Sequence, residues 1–305
     1  DGTDVTSRTI TALLDSAFGS TEGTILVRGA SAWDNTSYVA NSTNDFRLTL
    51  TTVTPVTTSD VTGATTIYFS PFKGNRISLY NGSGWDTIQS AEISLALGTL
   101  ADATNYDVFV YSNAGVLTID TLVAWTNDTT RATALARTNG IWCKTGTLTR
   151  RYVGTFRTTA TTTTEDSATK RFVWNADNRV TRKMLVRDVT DSWVYTTATW
   201  RSANNSVTNR LQYVAGLSEE PVTALGECMM ANPTVNTTIT TGVGVDATNA
   251  NSADLHGLTC PKSFVVRVPA SYHGYPGVGF HFLQWLEYSQ AQGTTTWYGD
   301  GGQPG

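Results

Sequence analysis

Apolar and polar residues alternate with a period of two through most of this chain. Phe46, Leu48 and Leu50 begin the pattern, and Ile93, Leu95 and Leu97 repeat it cleanly. Such alternation predicts half-buried strands. Further strands are predicted at Thr66–Phe69, Arg76–Tyr80, Trp85–Gln89, Tyr106–Tyr111 and Val116–Trp125. The last two are joined by a hairpin turn at Ser112–Gly115. Asn81-Gly82 predicts another hairpin, because both residues tolerate positive φ. Beyond residue 165 the pattern predicts strands at Arg171–Trp174, Met184–Arg187, Trp193–Trp200, Arg210–Ala215, Thr223–Met230, Thr238–Val245, Phe264–Val268 and Val278–Tyr288. In this last strand Val278, Phe280, Phe282, Leu286 and Tyr288 form the predicted core face, with Gln284 among them. Gly279, His281, Leu283, Trp285 and Glu287 face the other way. Thr294–Trp297 is expected to pair back through a turn at Ala291–Gly293.

One segment breaks the rule. Ile10, Leu13, Leu14, Ala17 and Phe18 follow the i, i+3, i+4, i+7, i+8 spacing of a helix face, with Ser7 or Thr9 as cap and Gly19 at the end. A helix of about 11 residues is marginal alone, so its apolar stripe needs cover. A small hairpin is predicted next: Thr24–Arg28, a turn at Gly29–Ser31, and Ala32-Trp33 returning. Ile25–Asp34 is echoed 52 residues later by Ile77–Asp86, each with a Trp just past the turn. That placement suits a Trp that clamps its hairpin against a neighbour. The Thr-rich run 158–164 is expected to be a surface loop. These elements divide the chain into 1–45 (helix and hairpin, for attachment or oligomerisation), 46–165 (a β-rich module) and 166–305 (a C-terminal β-sandwich). The predicted class is all-β, with antiparallel sandwich or jelly-roll-like modules after a short helix and hairpin.

Composition agrees with this. Of 305 residues 55 are Thr, and only 15% are charged against the usual quarter. A net charge of −4 gives no electrostatic case for nucleic-acid binding. The longest basic cluster, Arg150-Arg151, reads as a solvated strand pair. No apolar run is long enough to insert in a membrane, and no signal peptide opens the chain. Asp1 at the start, in place of Met, suggests a trimmed product. Cys143, Cys228 and Cys260 are odd in number and widely spaced, which argues against a disulfide framework or a zinc site. Sequons at Asn35, Asn81 and Asn127 are the chance product of an Asn- and Thr-rich chain.

The string LLDSAFGSTEGTILVRGASAW at residues 13–33 resembles a segment of fibrous virion proteins of tailed bacteriophages. A stronger resemblance follows. YFSPFKGNRISLYNGSGW, NYDVFVY, WTNDTTRATALA, RRYVGTFRTT and TEDSATKRFVWN look like successive blocks of a module in such proteins, in order from Tyr68 to Asn175. The chain departs from that pattern at Ala160–Thr164, where Gly or Gln is expected. The resemblance implies a structural fibre of the tail- or head-fibre type, made in the host cytoplasm and carried on the virion. It implies a homotrimer that contacts other virion proteins through the N-terminal segment and a host-surface glycan through the C-terminal module.

Catalytic patterns are sparse. His256, His273 and His281 form no metal-spaced pair. Gly29–Trp33 fails the nucleophile-elbow pattern at its fifth position. No phosphate-binding glycine loop or calcium loop occurs. Glu165-Asp166, Glu219-Glu220, Glu287 and Asp300 are the acids that a glycosidase pair would draw on; loop and cap roles explain them more simply. No enzyme activity, metal or other cofactor is therefore expected. Aromatic residues crowd the last 35 positions: Tyr272, Tyr275, Trp285, Tyr288, Trp297 and Tyr298. Core or subunit-interface roles would explain most of them. Trp285, Tyr288, Trp297 and Tyr298 are the candidate ligand-binding residues, since sugar faces stack on exposed rings. Two other roles compete with a receptor-binding fibre: a capsid decoration or head fibre with no receptor role, and a glycan depolymerase or esterase.

Overall fold

The computed structural model describes residues 42–255 and 264–299, together with the backbone of 27–28, 33–34 and 259–260. The helix predicted at residues 7–18 lies outside the described residues. The hairpin after it is seen in its two short strands, where Arg28 pairs with Trp33 and Val27 with Asp34. Elsewhere the chain is all-β, and the described residues contain one 3-10 turn, Ala203–Asn205, and no α-helix.

The first core forms where Phe46–Thr49, Thr66–Pro71 and Ile93–Ala96 make a small antiparallel sheet. Its inner face packs on the long strand Thr147–Ala160 and its partner Asn105–Asn113. Phe46, Leu48, Phe69, Ile77, Val108 and Phe156 are buried there, each burial stabilising by roughly 1.5–3 kcal/mol. Turn chemistry fixes the registers. Ala114-Gly115 and Asn139-Gly140 both have positive φ at two successive residues, as two-residue hairpins of the I′ type require. At Asn81-Gly82 only Gly82 takes positive φ, at 107°. Asn81 works instead through its side chain, whose Oδ1 accepts from the amides of Ser83 (2.9 Å) and Gly84 (2.8 Å). Trp85 clamps this hairpin outward, packing on Tyr80 and donating from Nε1 to Asn139 Oδ1 at 3.1 Å.

The second core is a sandwich. One wall is the five-stranded sheet containing Ser192–Val194, Thr296–Tyr298, Val222–Ala231, Val266–Gly274 and Asp254–Leu255. The other is Arg210–Ala215, Gly279–Ser289 and Thr237–Val245. Between the walls lie Met230, Ile239, Val268, Leu283 and Trp297. The second wall is continuous with the first core. Lys170–Arg171 joins it to Arg210–Ala215 in the one parallel pairing among the described strands.

Six expectations need correction. In the segment Trp193–Trp200 only Ser192–Val194 is a strand, and residues 195–200 are irregular. Arg151 is no solvated residue: it is 1% exposed, and its guanidinium donates to the carbonyls of Thr43 (2.8 Å) and Ser78 (2.9 Å) and pairs with Asp177 at 3.1 Å. The 158–164 run is no loop but a tight hairpin, in which the buried hydroxyls of Thr158 and Thr164 bond to the carbonyls of Ala101 and Arg157. Met184–Arg187 forms no strand, because no neighbouring strand pairs with it; it lies in an irregular strap, residues 176–191. Thr296–Tyr298 does not pair back on the preceding strand, but crosses to the opposite wall.

Finally, the face assignment at Gly279–Ser289 is reversed. Leu283, Trp285 and Glu287 look into the sandwich, whereas Phe280, Phe282 and Tyr288 are half-buried on the outer side. The strand is central and covered on both sides, so alternation alone could not orient it.

Candidate functional site

A cleft of about 590 Å3 opens at one edge of the five-stranded sheet. Its position follows from strand pairing. Val222–Ala231 is paired with Val266–Gly274 from Val222 to Met230 on one side. On the other side only Met229–Ala231 is covered, by Thr296–Tyr298. Among the described strands none continues that pairing, so the edge at residues 224–228 runs along the cleft. Leu185–Asp188 of the strap forms the opposite lip. Gly299 seats the strap: a Cβ there would lie 2.2 Å from the Thr190 carbonyl and 2.6 Å from that of Asp188.

Two of the four candidate ligand residues line this cleft, Trp285 and Tyr298. Trp285 is half-buried, meets Trp193 edge-on at 6.1 Å, and donates from Nε1 to Thr241 Oγ1 at 2.7 Å. The other two lie elsewhere. Trp297 is fully buried in the sandwich with Nε1 donating to the Tyr195 carbonyl at 3.1 Å, which removes it from any ligand surface. Tyr288 packs on Trp200 at 5.2 Å on the outer side of its strand, away from the cleft. The remaining lining includes Leu225 and Met229, both exposed, and the charged residues Arg187, Asp188, Glu227 and Arg267. Sequence reasoning missed these four. The available signal was their charge within otherwise strand-like, weakly charged segments.

The electrostatics of the cleft are largely settled by protein partners. Glu227 and Arg267 form an ion pair on neighbouring strands at the exposed rim, an arrangement that contributes little stability. Asp188 is buried, which pushes its carboxyl up. Hydrogen bonds from Asn209 (2.6 Å), the Thr190 amide (2.9 Å) and Asn204 (3.0 Å) outweigh that, and hold it below its ordinary range. Burial, helped by Glu287 and Asp188, pushes the Cys228 thiol up to about 12, so it stays protonated and unreactive.

The other acids are similarly committed. Glu287, fully buried, accepts from Trp193 Nε1 at 2.5 Å and Arg201 Nε at 2.6 Å; its pKa is raised by burial, which those bonds only partly offset. Glu165 pairs with Lys170 at 2.9 Å, and Asp166 with Arg171 and Arg182 at 3.1 and 3.0 Å. Glu219 and Glu220 share Arg179. Asp300 lies outside the described residues. His281 Nδ1 meets Asp246 Oδ2 at 2.7 Å and His273 Nδ1 meets Thr223 Oγ1 at 2.8 Å, while His256 is outside the described residues. No group of three or more potential metal ligands occurs among the described residues.

Comparisons with protein-family models, with curated proteins and with solved structures returned no match for this chain. The functional reading therefore rests on the cleft itself and on the sequence blocks described above.

Proposed function

We propose that the chain is a structural module of a tailed-phage virion fibre, trimeric through its N-terminal segment, which holds a host-surface glycan in the cleft between Trp285 and Tyr298. The observation that carries this reading is the cleft: two aromatic residues, the exposed apolar side chains of Leu225 and Met229, and an open strand edge. Sugars present apolar ring faces and a fringe of hydroxyls. Aromatic rings match the first, and backbone amides and carbonyls at a strand edge match the second. A single shallow cleft binds weakly, but three copies on one fibre would raise the effective concentration of each site for a repetitive surface.

Binding of the purified chain to host cells tests the reading. Tyr298→Ala should reduce cell-bound protein at least tenfold while the melting curve stays close to that of the wild type. Unchanged binding by the folded variant would place the glycan elsewhere. Mass measurement in solution tests the assembly, and a stable monomer at high concentration would exclude the trimer.

A further inference from the structure

A second cleft, of about 640 Å3, adjoins the first beside residues 179–184 of the strap and shares Leu211, Ala224, Leu225 and Leu283 with it. Its chemistry is different. Arg47, Arg171 and Arg182 line it with Asp166, and Arg179 with Glu220; the Arg47 guanidinium donates to the carbonyls of Pro55 and Asn178. Asp166 bonds Arg171 through one oxygen at 3.1 Å and Arg182 through the other at 3.0 Å. One cation suffices for each carboxylate; this lining carries four arginines against two carboxylates, in a protein whose net charge is −4. Burial, and then the charge of Arg182, lowers the Arg47 pKa to about 10. The Nε–H of Arg171 is buried with no hydrogen-bond partner. A fourth arginine, Arg179, is shared with Glu219 and Glu220 and lies over the Trp174 ring at 5.2 Å, giving the cleft an aromatic wall.

We infer that this arginine cleft binds an oxyanion, the carboxylate or phosphate group of an acidic glycan. Guanidinium forks suit both groups, because each presents paired oxygens to parallel N–H donors. A bound anion would offset the surplus positive charge of the lining. Trp174 and Tyr213 would meet the sugar ring that carries the anion. The inference extends the glycan reading above, because a chain of several sugars could pass from the aromatic cleft into this one.

Calorimetry on the full chain decides it, with three probes of matched length: an oligogalacturonate, an oligo(glycerol phosphate) and a neutral oligogalactoside. At least one acidic probe should bind tenfold or more tightly than the neutral one, and weaken as salt rises from 20 to 150 mM. Which acidic probe wins identifies carboxylate or phosphate as the group bound. Arg182→Gln should abolish the preference, and Arg182→Lys should restore part of it by keeping charge without the fork. If Arg182→Gln does not fold, the wild-type comparison alone decides. Equal binding of acidic and neutral probes, or none of either acidic probe, overturns the inference. Neutral binding that Tyr298→Ala removes, with no acidic preference, would leave the first reading standing and sink this one. Acidic binding that ignores Tyr298→Ala but needs Arg182 would do the reverse.

Discussion

Asp188 sits at the lip of the aromatic cleft with three donors around its carboxylate, and its lowered pKa has a calculable sign. In the folded chain the ionised form is favoured relative to the unfolded chain, whose aspartate titrates near 3.8. The unfolded chain therefore takes up a proton first as pH falls. Asp188 contributes stability above that value, which is lost as pH drops through the lower folded value. Replacing it with Asn removes the charge that Asn204, Asn209 and the Thr190 amide converge on. Denaturant titrations of Asp188→Asn should show a clear loss of stability at pH 7 that shrinks below pH 4. A deficit of constant size across that range would mean that the charge is not what matters. Glu287 has the opposite sign: its raised pKa favours the protonated form in the folded state, so its contribution falls as pH rises through the folded value.

The positions of many strands were legible in the sequence. Arg76–Tyr80, Trp85–Gln89 and Arg210–Ala215 occur at the positions that alternation predicts. Two things were not legible: which way a strand covered on both sides faces, and whether a strand-like segment has a neighbour to pair with. Gly279–Ser289 is central, and polar Gln284 and Glu287 are fully buried in it, so no pattern could tell its two sides apart. Met184–Arg187 has strand-like residues but no strand beside it; its backbone is held by single contacts such as the Leu185 amide on the Ala168 carbonyl at 3.0 Å. Threonine misled in the other sense, since a low-complexity run that looks like a loop is also a run of good strand formers. The candidate site was half legible. Aromatic residues advertise themselves by type, whereas the cleft comes from a missing neighbour along one strand edge, which only tertiary pairing reveals. Its strap depends on Gly299. Gly299→Ala would press a methyl into two backbone carbonyls that have little room to yield, at a cost of about 1–3 kcal/mol. Gly84→Ala meets nothing within 4 Å and should be neutral or slightly stabilising. Denaturation midpoints of the two variants check the contrast, and similar shifts in both would show that the strap is not seated by Gly299.

Among the described residues the two cores are joined by backbone pairing and by side chains. Backbone pairing runs from Asn105–Asn113 through Thr147–Ala160 and Lys170–Arg171 into the sandwich. Side chains brace the same junction. Arg131 pairs with Asp107 at 2.7 Å, lies over Trp125 at 4.4 Å, and donates to the Gly216 carbonyl beyond the junction at 2.5 Å. Trp125 and Arg131 belong to the WTNDTTRATALA block, which contributes to this brace while its residues 126–130 stay exposed. Arg157 pairs with Asp128 at 2.7 Å and covers the Phe280 ring at 3.8 Å, while Phe172 meets the same ring edge-on at 6.0 Å. The Phe280 amide donates to the Asp128 carbonyl at 2.8 Å. Coupled cores should unfold together, giving the wild type one calorimetric transition. Phe280→Ala removes the ring that both Arg157 and Phe172 grip. Phe280 is half-buried, so the loss should be about 2 kcal/mol, less than for a fully buried Phe. The more telling readout is cooperativity: with the brace gone, the sandwich should melt below the first core and the single transition should split in two. A variant that melts lower but still in one step would locate the coupling in the backbone pairing alone, with the arginine and aromatic contacts contributing stability but not cooperativity.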